Sequence, residues 1–161
     1  MKLFRLVIPK FPYFNVYSRI KMPPRGAVSV ATAVSSLNGF RVEIIDENNF
    51  SGPLDHKIIQ EERPADAVGF YGGLTSTIPR LYEVASVYQG LGVPTLAGGN
   101  HINACVEEAL SSGIDVVIMG EGEYTLPEAV RAISSGEELS AVPGISFERR
   151  GQIVYTPRRA P

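Results

Sequence analysis

Glycines follow three apolar segments of this chain, together with polar side chains that could bind a ligand. The glycines are Gly72-Gly73, Gly98-Gly99 and Gly120-x-Gly122. The polar residues beside them are Thr75, Ser76, Thr77, Asn100, His101, Glu121, Glu123 and Thr125. Glycine lets a bulky ligand lie against the backbone, and the polar groups can then hydrogen-bond to it. We predict a cofactor-binding site from all of these residues, although loop glycines can also serve only to turn the chain.

The titratable groups in these loops do not form a set typical of catalysis. His101 is expected to brace its own loop rather than to bind a metal. Glu121 and Glu123 are expected to accept hydrogen bonds from loop amides or from ligand hydroxyls. Cys105, the only cysteine, is expected to be a small core residue. We therefore predict no catalytic residue and no metal ligand.

Nucleotide-binding motifs are weak or absent. Gly120-Glu121-Gly122 lacks the third glycine of a dinucleotide fingerprint, and its neighbouring carboxylates would repel a pyrophosphate. A GxxxxGK[ST] motif does not occur. FMN remains an alternative, although the first predicted strand is followed by an aromatic loop over residues 9–17, where a flavodoxin has hydroxyls. That loop is predicted to be a lid or a docking surface.

Alternating strands and helices would position these loops. Five short apolar segments predict strands, at Leu3–Ile8, Arg41–Asp46, Asp66–Phe70, Pro94–Ala97 and Asp115–Met119. Helical patterns lie between them, one capped by Asn103 and the last by a capping box, Thr125-x-x-Glu128. Continuous apolar strands indicate a parallel sheet covered on both faces. We predict a doubly wound five-stranded α/β fold followed by a β-hairpin over residues 145–155, with ligands at the carboxyl ends of the strands.

Composition excludes several classes of protein. The chain has 161 residues, which suits one compact domain, and a formal net charge of -2, which argues against a duplex nucleic acid partner. No apolar run is long enough to span a membrane, and the first residues lack a signal peptide. A single cysteine suggests the reducing cytoplasm.

The order of the motifs resembles the N-terminal cobalamin-binding domain of B12-dependent radical SAM enzymes. The resemblance rests on Pro23-Pro24-x-Gly26, Val42-Glu43-Ile44-Ile45-Asp46, Asp66-x-Val68-Gly69-Phe70, Pro94-Thr95-x-x-Gly98-Gly99-x-His101, Glu107-Glu108-Ala109-Leu110, Gly120-Glu121-Gly122-Glu123-x-Thr125 and Gly144-Ile145-Ser146-Phe147. It implies a flavodoxin-like, Rossmann-like domain over residues 1–144, with the hairpin and the start of a linker over 145–161. It also implies cobalamin over the strand tips. The Asp-x-His-x-x-Gly motif is absent after the first strand, so the resemblance implies base-off cobalamin without a histidine ligand.

The resemblance further implies a cofactor-binding module whose chemistry occurs elsewhere. The Cys-x-x-x-Cys-x-x-Cys motif of radical SAM domains does not occur. A [4Fe-4S] cluster and S-adenosylmethionine are therefore expected only on a missing radical SAM domain, in the same chain or a separate one. The alternatives are a stand-alone cobalamin-binding or sensing domain, and a flavodoxin-like protein that binds FMN or a nucleotide.

Overall fold

The structure, a computed structural model, describes residues 1–13 and 22–159. Part of the predicted aromatic loop, at residues 14–17, lies outside the described residues. The last two residues of the predicted linker, Ala160 and Pro161, also lie outside them.

One mixed sheet organises the described residues. Its strands are β1 (Lys2–Ile8), β2 (Phe40–Asp46), β3 (Ala67–Tyr71), β4 (Thr95–Gly98), β5 (Val116–Ile118), β6 (Ile145–Arg149) and β7 (Gln152–Tyr155). They lie in the order β2-β1-β3-β4-β5-β6-β7. The first five are parallel, as the continuous apolar segments predicted. This confirms the doubly wound α/β fold.

The sheet has seven strands rather than five, because the C-terminal hairpin joins it. Strand β6 runs antiparallel to β5, with Ile145 opposite Ile118, and β7 pairs with β6. The hairpin thereby covers the edge of β5, whose backbone groups would otherwise be left without partners.

Within the described residues, six α-helices cover the two faces of the sheet: α1 (Arg25–Ser35), α2 (His56–Glu62), α3 (Ile78–Gly90), α4 (Asn100–Ala104), α5 (Val106–Ser111) and α6 (Gly122–Ser135). Helices α1 and α6 bury Ala31 and Val130 against Leu6 and Leu96 on one face. Helices α3, α4 and α5 supply most of the helical residues that pack on the other face. None of the helices described over 1–13 and 22–159 is long and apolar enough to cross a membrane.

Two predicted helix starts are wrong. Asn103 does not cap a helix but lies inside α4, and the chain breaks its helical path at Cys105 (φ -128°, ψ 52°) before α5 begins. Thr125 does not begin a capping box, because α6 starts earlier, at Gly122, and Thr125 is fully buried within it. Pro127 consequently lies inside the helix rather than in its first turn.

A chain of polar side chains is buried between β1, β2, α2 and α3. The Arg5 side chain is completely buried and donates to Glu43 and to the Tyr88 hydroxyl. Tyr88 Oη lies 2.9 Å from His56 Nδ1, and His56 Nε2 lies 3.1 Å from Glu47 Oε1. Charged groups persist at this depth because each is paired and hydrogen-bonded.

The carboxylate of Glu47 connects this buried chain to the loop after β1. It accepts hydrogen bonds from the Lys10 backbone amide and from the Arg80 guanidinium. Burial alone would raise the pKa of Glu47, but the hydrogen bonds from His56, Arg80 and Lys10 together lower it to about 2. Glu47 is therefore ionised and holds the start of that loop in place.

Candidate cofactor-binding cleft

An apolar cavity of about 250 Å³ opens at the carboxyl ends of the parallel strands. The sheet supplies its floor, lined by Leu6 of β1, Gly69 of β3, Leu96 of β4 and Ile118 of β5. Its walls come from α1, with Gly26 and Val30, and from α6, with Gly122, Glu123 and Leu126. The cavity therefore lies between one face of the sheet and the two helices that cover that face.

The loop before α6 leaves the mouth of this cavity open. Gly120 adopts φ +68°, a left-handed conformation, and a Cβ there would meet nothing within 4 Å. At Gly122, a Cβ would lie 2.9 Å from Cγ1 of Val30 on α1. A larger residue at position 122 would therefore narrow the gap between α6 and α1.

The glycines that follow β3 and β4 are instead packed against other parts of the chain. A Cβ on Gly72 would lie 2.3 Å from Ile102 Cγ1, and one on Gly73 would lie 2.6 Å from the Tyr71 hydroxyl. Gly99 has φ +114°, and a Cβ there would lie 2.7 Å from the Gly72 carbonyl carbon. Close packing between these two loops accounts for Gly72 and Gly99 without any ligand, and the Tyr71 side chain lies against Gly73.

Three polar residues of the predicted site line the cavity. Asn100 and Glu121 are exposed at its mouth. Glu123 is half-buried, and its Oε1 accepts a hydrogen bond from Ser29 Oγ of α1 at 2.8 Å. Glu121 precedes the first residue of α6 and makes no side-chain cap, so its carboxylate remains available to a ligand.

The structure thus brings together half of the predicted residues. Lining the cavity are Gly98, Gly99, Asn100, Gly120, Glu121, Gly122 and Glu123. The others do not line it: Gly72, Gly73, Thr75, Ser76, Thr77, His101 and Thr125.

Those other residues have contacts of their own. Thr75 and Ser76 are exposed on a 3-10 turn, and the buried Thr77 donates from Oγ1 to the Leu74 carbonyl oxygen. His101 Nδ1 lies 3.1 Å from Thr75 Oγ1. Thr125 is buried against the C-terminal segment, with its Oγ1 3.4 Å from Arg159 Nε.

A second cavity, of about 270 Å³, adjoins the first at Tyr71. It lies at the ends of β1 and β2 and is lined by Ile8, Pro9, Phe11, Met22, Pro24, Tyr71, Leu74, Asp46, Asn48 and Thr77. Leu74 and Met22 are exposed large apolar residues. The described part of the loop after β1 therefore borders a mostly apolar depression beside the glycine-rimmed cavity.

Sequence reasoning missed the floor and the α1 wall of the first cavity. Leu6, Leu96 and Ile118 lie in apolar strands that are indistinguishable from core by composition. The one available signal was glycine within buried or helical segments, at Gly69 of β3 and Gly26 of α1.

A family model described as B12 binding domain matches residues 16–130. The chain belongs to this family. The cavity of this B12-binding domain lies at the carboxyl ends of the strands. Doubly wound sheets bind their ligands at this place.

Two curated relatives are similar to this B12-binding domain over nearly its whole length. An uncharacterized methyltransferase of Pyrococcus horikoshii is 29% identical over 168 residues, which cover 99% of this chain and 36% of that protein. The anaerobic magnesium-protoporphyrin IX monomethyl ester cyclase of a Synechocystis species is 28% identical over 170 residues, covering 94% of this chain and 32% of that protein. The chain spans about a third of the length of both relatives.

Solved structures share the fold. The radical S-adenosylmethionine methyltransferase TsrM from Kitasatospora setae, with cobalamin and a [4Fe-4S] cluster bound, matches with a TM-score of 0.75 and 23% identity, over 99% of this chain and 30% of that chain. The cobalamin-dependent S-adenosylmethionine radical enzyme OxsB, with aqua-cobalamin bound, matches with a TM-score of 0.74 and 17% identity, over 99% and 23% of the two chains.

Proposed function

We propose that this B12-binding domain holds base-off cobalamin as the cofactor-binding module of a radical SAM enzyme. The observation that carries the proposal is the apolar cavity that opens between α1, α6 and the carboxyl ends of the parallel strands. The membership of this chain in the B12-binding family supports cobalamin over the other ligands that such a fold can bind.

The residues of the cavity fit the nucleotide tail of the cofactor. Leu6, Leu96 and Ile118 form an apolar floor that suits the planar aromatic base of the tail. Gly120 and Gly122 keep the mouth clear, as a Cβ at position 122 would approach α1 closely. In this proposal the tail enters between α1 and α6, and the corrin ring lies over the strand tips.

The polar residues at the mouth would orient the cofactor. Asn100 and Glu121 are exposed there and offer an amide and a carboxylate to the amide side chains of a corrin. Gly72, which does not line the cavity, would act indirectly, since it allows the loops after β3 and β4 to pack together.

Neither of the two histidines in the chain lines the cavity, which supports a cobalt without a histidine ligand from this chain. His56 is enclosed by Tyr88 and Glu47. His101 faces Thr75 and Glu108. When bound, cobalamin supplies cobalt-centred alkyl-transfer and redox chemistry, while the residues of this chain bind and orient it.

Residues 1–144 would form the cobalamin-binding part, and the hairpin would lead into a linker. One cysteine in the chain cannot provide the three thiolates of a radical SAM cluster, so the cluster and S-adenosylmethionine would belong to a radical SAM domain. The match to proteins about three times as long supports this arrangement.

A binding experiment tests the cofactor. The purified chain is mixed with hydroxocobalamin or with FMN and desalted, and the visible spectrum of the protein fraction is recorded. We expect corrinoid to be retained and flavin to be lost. Retention of flavin without corrinoid would contradict the proposal.

The absence of a histidine ligand is tested in the same way. His101→Ala should leave the spectrum of bound cobalamin unshifted, because His101 lies outside the cavity. A clear shift would make this imidazole a cobalt ligand.

A second candidate is a cobalamin-binding or sensing domain without catalysis. It is favoured by the lack of a catalytic group among the described residues that line the cavity. The coding sequence beyond codon 161 distinguishes the two: a Cys-x-x-x-Cys-x-x-Cys motif within a few tens of codons supports the radical SAM enzyme, and a stop codon supports the sensing domain.

A further inference from the structure

Three different metal-binding side chains meet outside the cavity. The ligand atoms of His101, Cys105 and Glu108 all lie within 4.8 Å of one another. His101 lies in α4 and Glu108 in α5, and Cys105 is the residue at the break between the two helices. Their neighbours Ile102 and Val106 pack with α3, on the opposite face of the sheet from the cofactor cavity.

The ring of His101 is oriented as a metal ligand would be. Its Nδ1 lies 3.1 Å from Thr75 Oγ1, which suits an N–H group donating to the threonine hydroxyl. In that tautomer the lone pair is on Nε2, which is buried, has no hydrogen-bond partner and lies 3.7 Å from Glu108 Oε1. Metal-binding histidines characteristically use their second nitrogen in this way, because the outer hydrogen bond fixes both the tautomer and the ring plane.

The unpaired Nε2 of His101 indicates a missing occupant. Buried polar atoms are nearly always paired, and this nitrogen has no hydrogen-bond partner although the Glu108 carboxylate lies nearby. A metal ion bound between His101, Cys105 and Glu108 would use its lone pair.

We propose that His101, Cys105 and Glu108 bind one divalent transition-metal ion of the zinc type. An imidazole nitrogen, a thiolate and a carboxylate are the ligands that zinc takes in proteins. Three protein ligands leave the fourth position of a tetrahedral zinc ion to water. Glu108 is half exposed, so its side chain can move the short distance that closes the site.

Binding involves no change of oxidation state. The Cys105 thiol releases its proton to solvent as the sulfur–metal bond forms, and His101 and Glu108 contribute lone pairs. The ion would clamp α4 to α5 across the break at Cys105. Because Asn100, at the start of α4, lines the cofactor cavity, the metal would also steady one wall of that cavity.

The site is tested on the full chain, freed of corrinoid and stripped of metal with a chelator. Zn²⁺ is titrated in competition with a chromophoric chelator, and Co²⁺ is added separately as a spectroscopic probe. We expect one equivalent of Zn²⁺ to bind, and Co²⁺ to give a thiolate-to-metal charge-transfer band that is absent in Cys105→Ser.

Variants separate a built site from nonspecific binding. Cys105→Ser and His101→Ala should each weaken Zn²⁺ binding by at least the ~10–100-fold that outer-shell changes cost. Thr75→Val, which removes only the outer hydrogen bond, should weaken it by about tenfold. Glu107→Gln is the matched control, an exposed neighbour outside the cluster, and should change nothing. Circular dichroism of every variant verifies the fold.

Equal affinity in all of these variants, or no charge-transfer band in the wild type, would overturn the proposal. If His101→Ala does not fold, the comparison of wild type with Cys105→Ser decides the matter by itself. Corrinoid retention is measured without added metal. The metal-binding assay therefore tests only the metal site, and the retention assay tests only the proposed function.

Discussion

Two glycine-rich regions meet at the carboxyl end of the sheet, and they use glycine for different reasons. In the first, a Cβ on Gly72, Gly73 or Gly99 would lie 2.3–2.7 Å from other protein atoms, although Gly99 also lines the cavity. In the second, Gly120 faces open space and Gly122 borders the cavity opposite Val30. The first region is closed by packing, and the second is left open.

This difference shows which glycines belong to the binding function. Glycine in the closed region allows two loops to touch, so its replacement should damage the fold first and binding only as a consequence. In the open region the effect should depend on what the new side chain meets. A Cβ at Gly122 would lie against Val30 and should damage binding, whereas one at Gly120 meets nothing and should leave binding intact. Sequence alone assigned both regions the same role.

The largest effect is expected in the closed region, at Gly99. Gly99→Val combines a left-handed φ of +114° with a Cβ contact of 2.7 Å to backbone atoms that cannot rotate away. Backbone strain and overpacking together should lower the free energy of unfolding by about 3–5 kcal/mol. Urea denaturation measures this loss of stability. If Gly99→Val unfolded at the same urea concentration as the wild type, close packing would not be the reason for glycine at this position.

The next largest effect is expected at Glu47, outside both glycine regions, and concerns the stability of the protein in acid. The hydrogen bonds to Glu47 lower its folded pKa from 4.5 to about 2. A lowered folded pKa stabilises the protein above the unfolded pKa, and this stabilisation is lost as the pH falls from about 4.5 to about 2. The loss should amount to about 3 kcal/mol.

Unfolding free energies at pH 6 and pH 2 measure this contribution. Glu47→Gln should lower stability at pH 6, because Arg80 loses its buried partner, and should flatten the pH dependence relative to wild type. Glu61→Gln, exposed on α2, is the matched control. If Glu47→Gln lost as much stability between pH 6 and pH 2 as the wild type does, a group other than Glu47 would be responsible for the pH dependence.

In the open region, Gly122→Val should weaken corrinoid retention by about tenfold or more, which corresponds to about 1.4 kcal/mol. The side chain would fill the gap towards Val30, whose Cγ1 lies 2.9 Å from the position of the new Cβ. Combining Gly122→Ala with Val30→Ala restores the gap and should recover binding relative to Gly122→Ala alone. Unchanged retention in Gly122→Val would place the tail of the cofactor outside this cavity.

The smallest effect is expected at Gly120. Gly120→Ala meets no atom within 4 Å, so only its left-handed φ of +68° matters, at a cost of about 1 kcal/mol. Thermal unfolding should detect this cost while corrinoid retention stays at the wild-type level. A large loss of binding would mean that the ligand lies directly against this residue.

The sequence predicted the architecture well because its signals are local. Short continuous apolar segments such as Asp115–Met119 favour buried strands, and five of them separated by helical patterns favour parallel pairing. The helix starts at Asn103 and Thr125 were wrong because capping residues are also tolerated inside helices. At those positions, packing against the sheet and the C-terminal segment outweighed the local preference.

The amino-acid sequence by itself therefore predicted the strands, their parallel orientation and a ligand at their carboxyl ends. Only the tertiary structure decided which glycines face a cavity, that the hairpin completes the sheet, and that His101, Cys105 and Glu108 converge. The physical reason is that strand formation depends on neighbouring residues, whereas a cavity, a sheet edge and a ligand cluster depend on distances across the folded chain. Gly99 and Gly120 are the same residue in the sequence, and only their surroundings distinguish a packing contact from an open mouth.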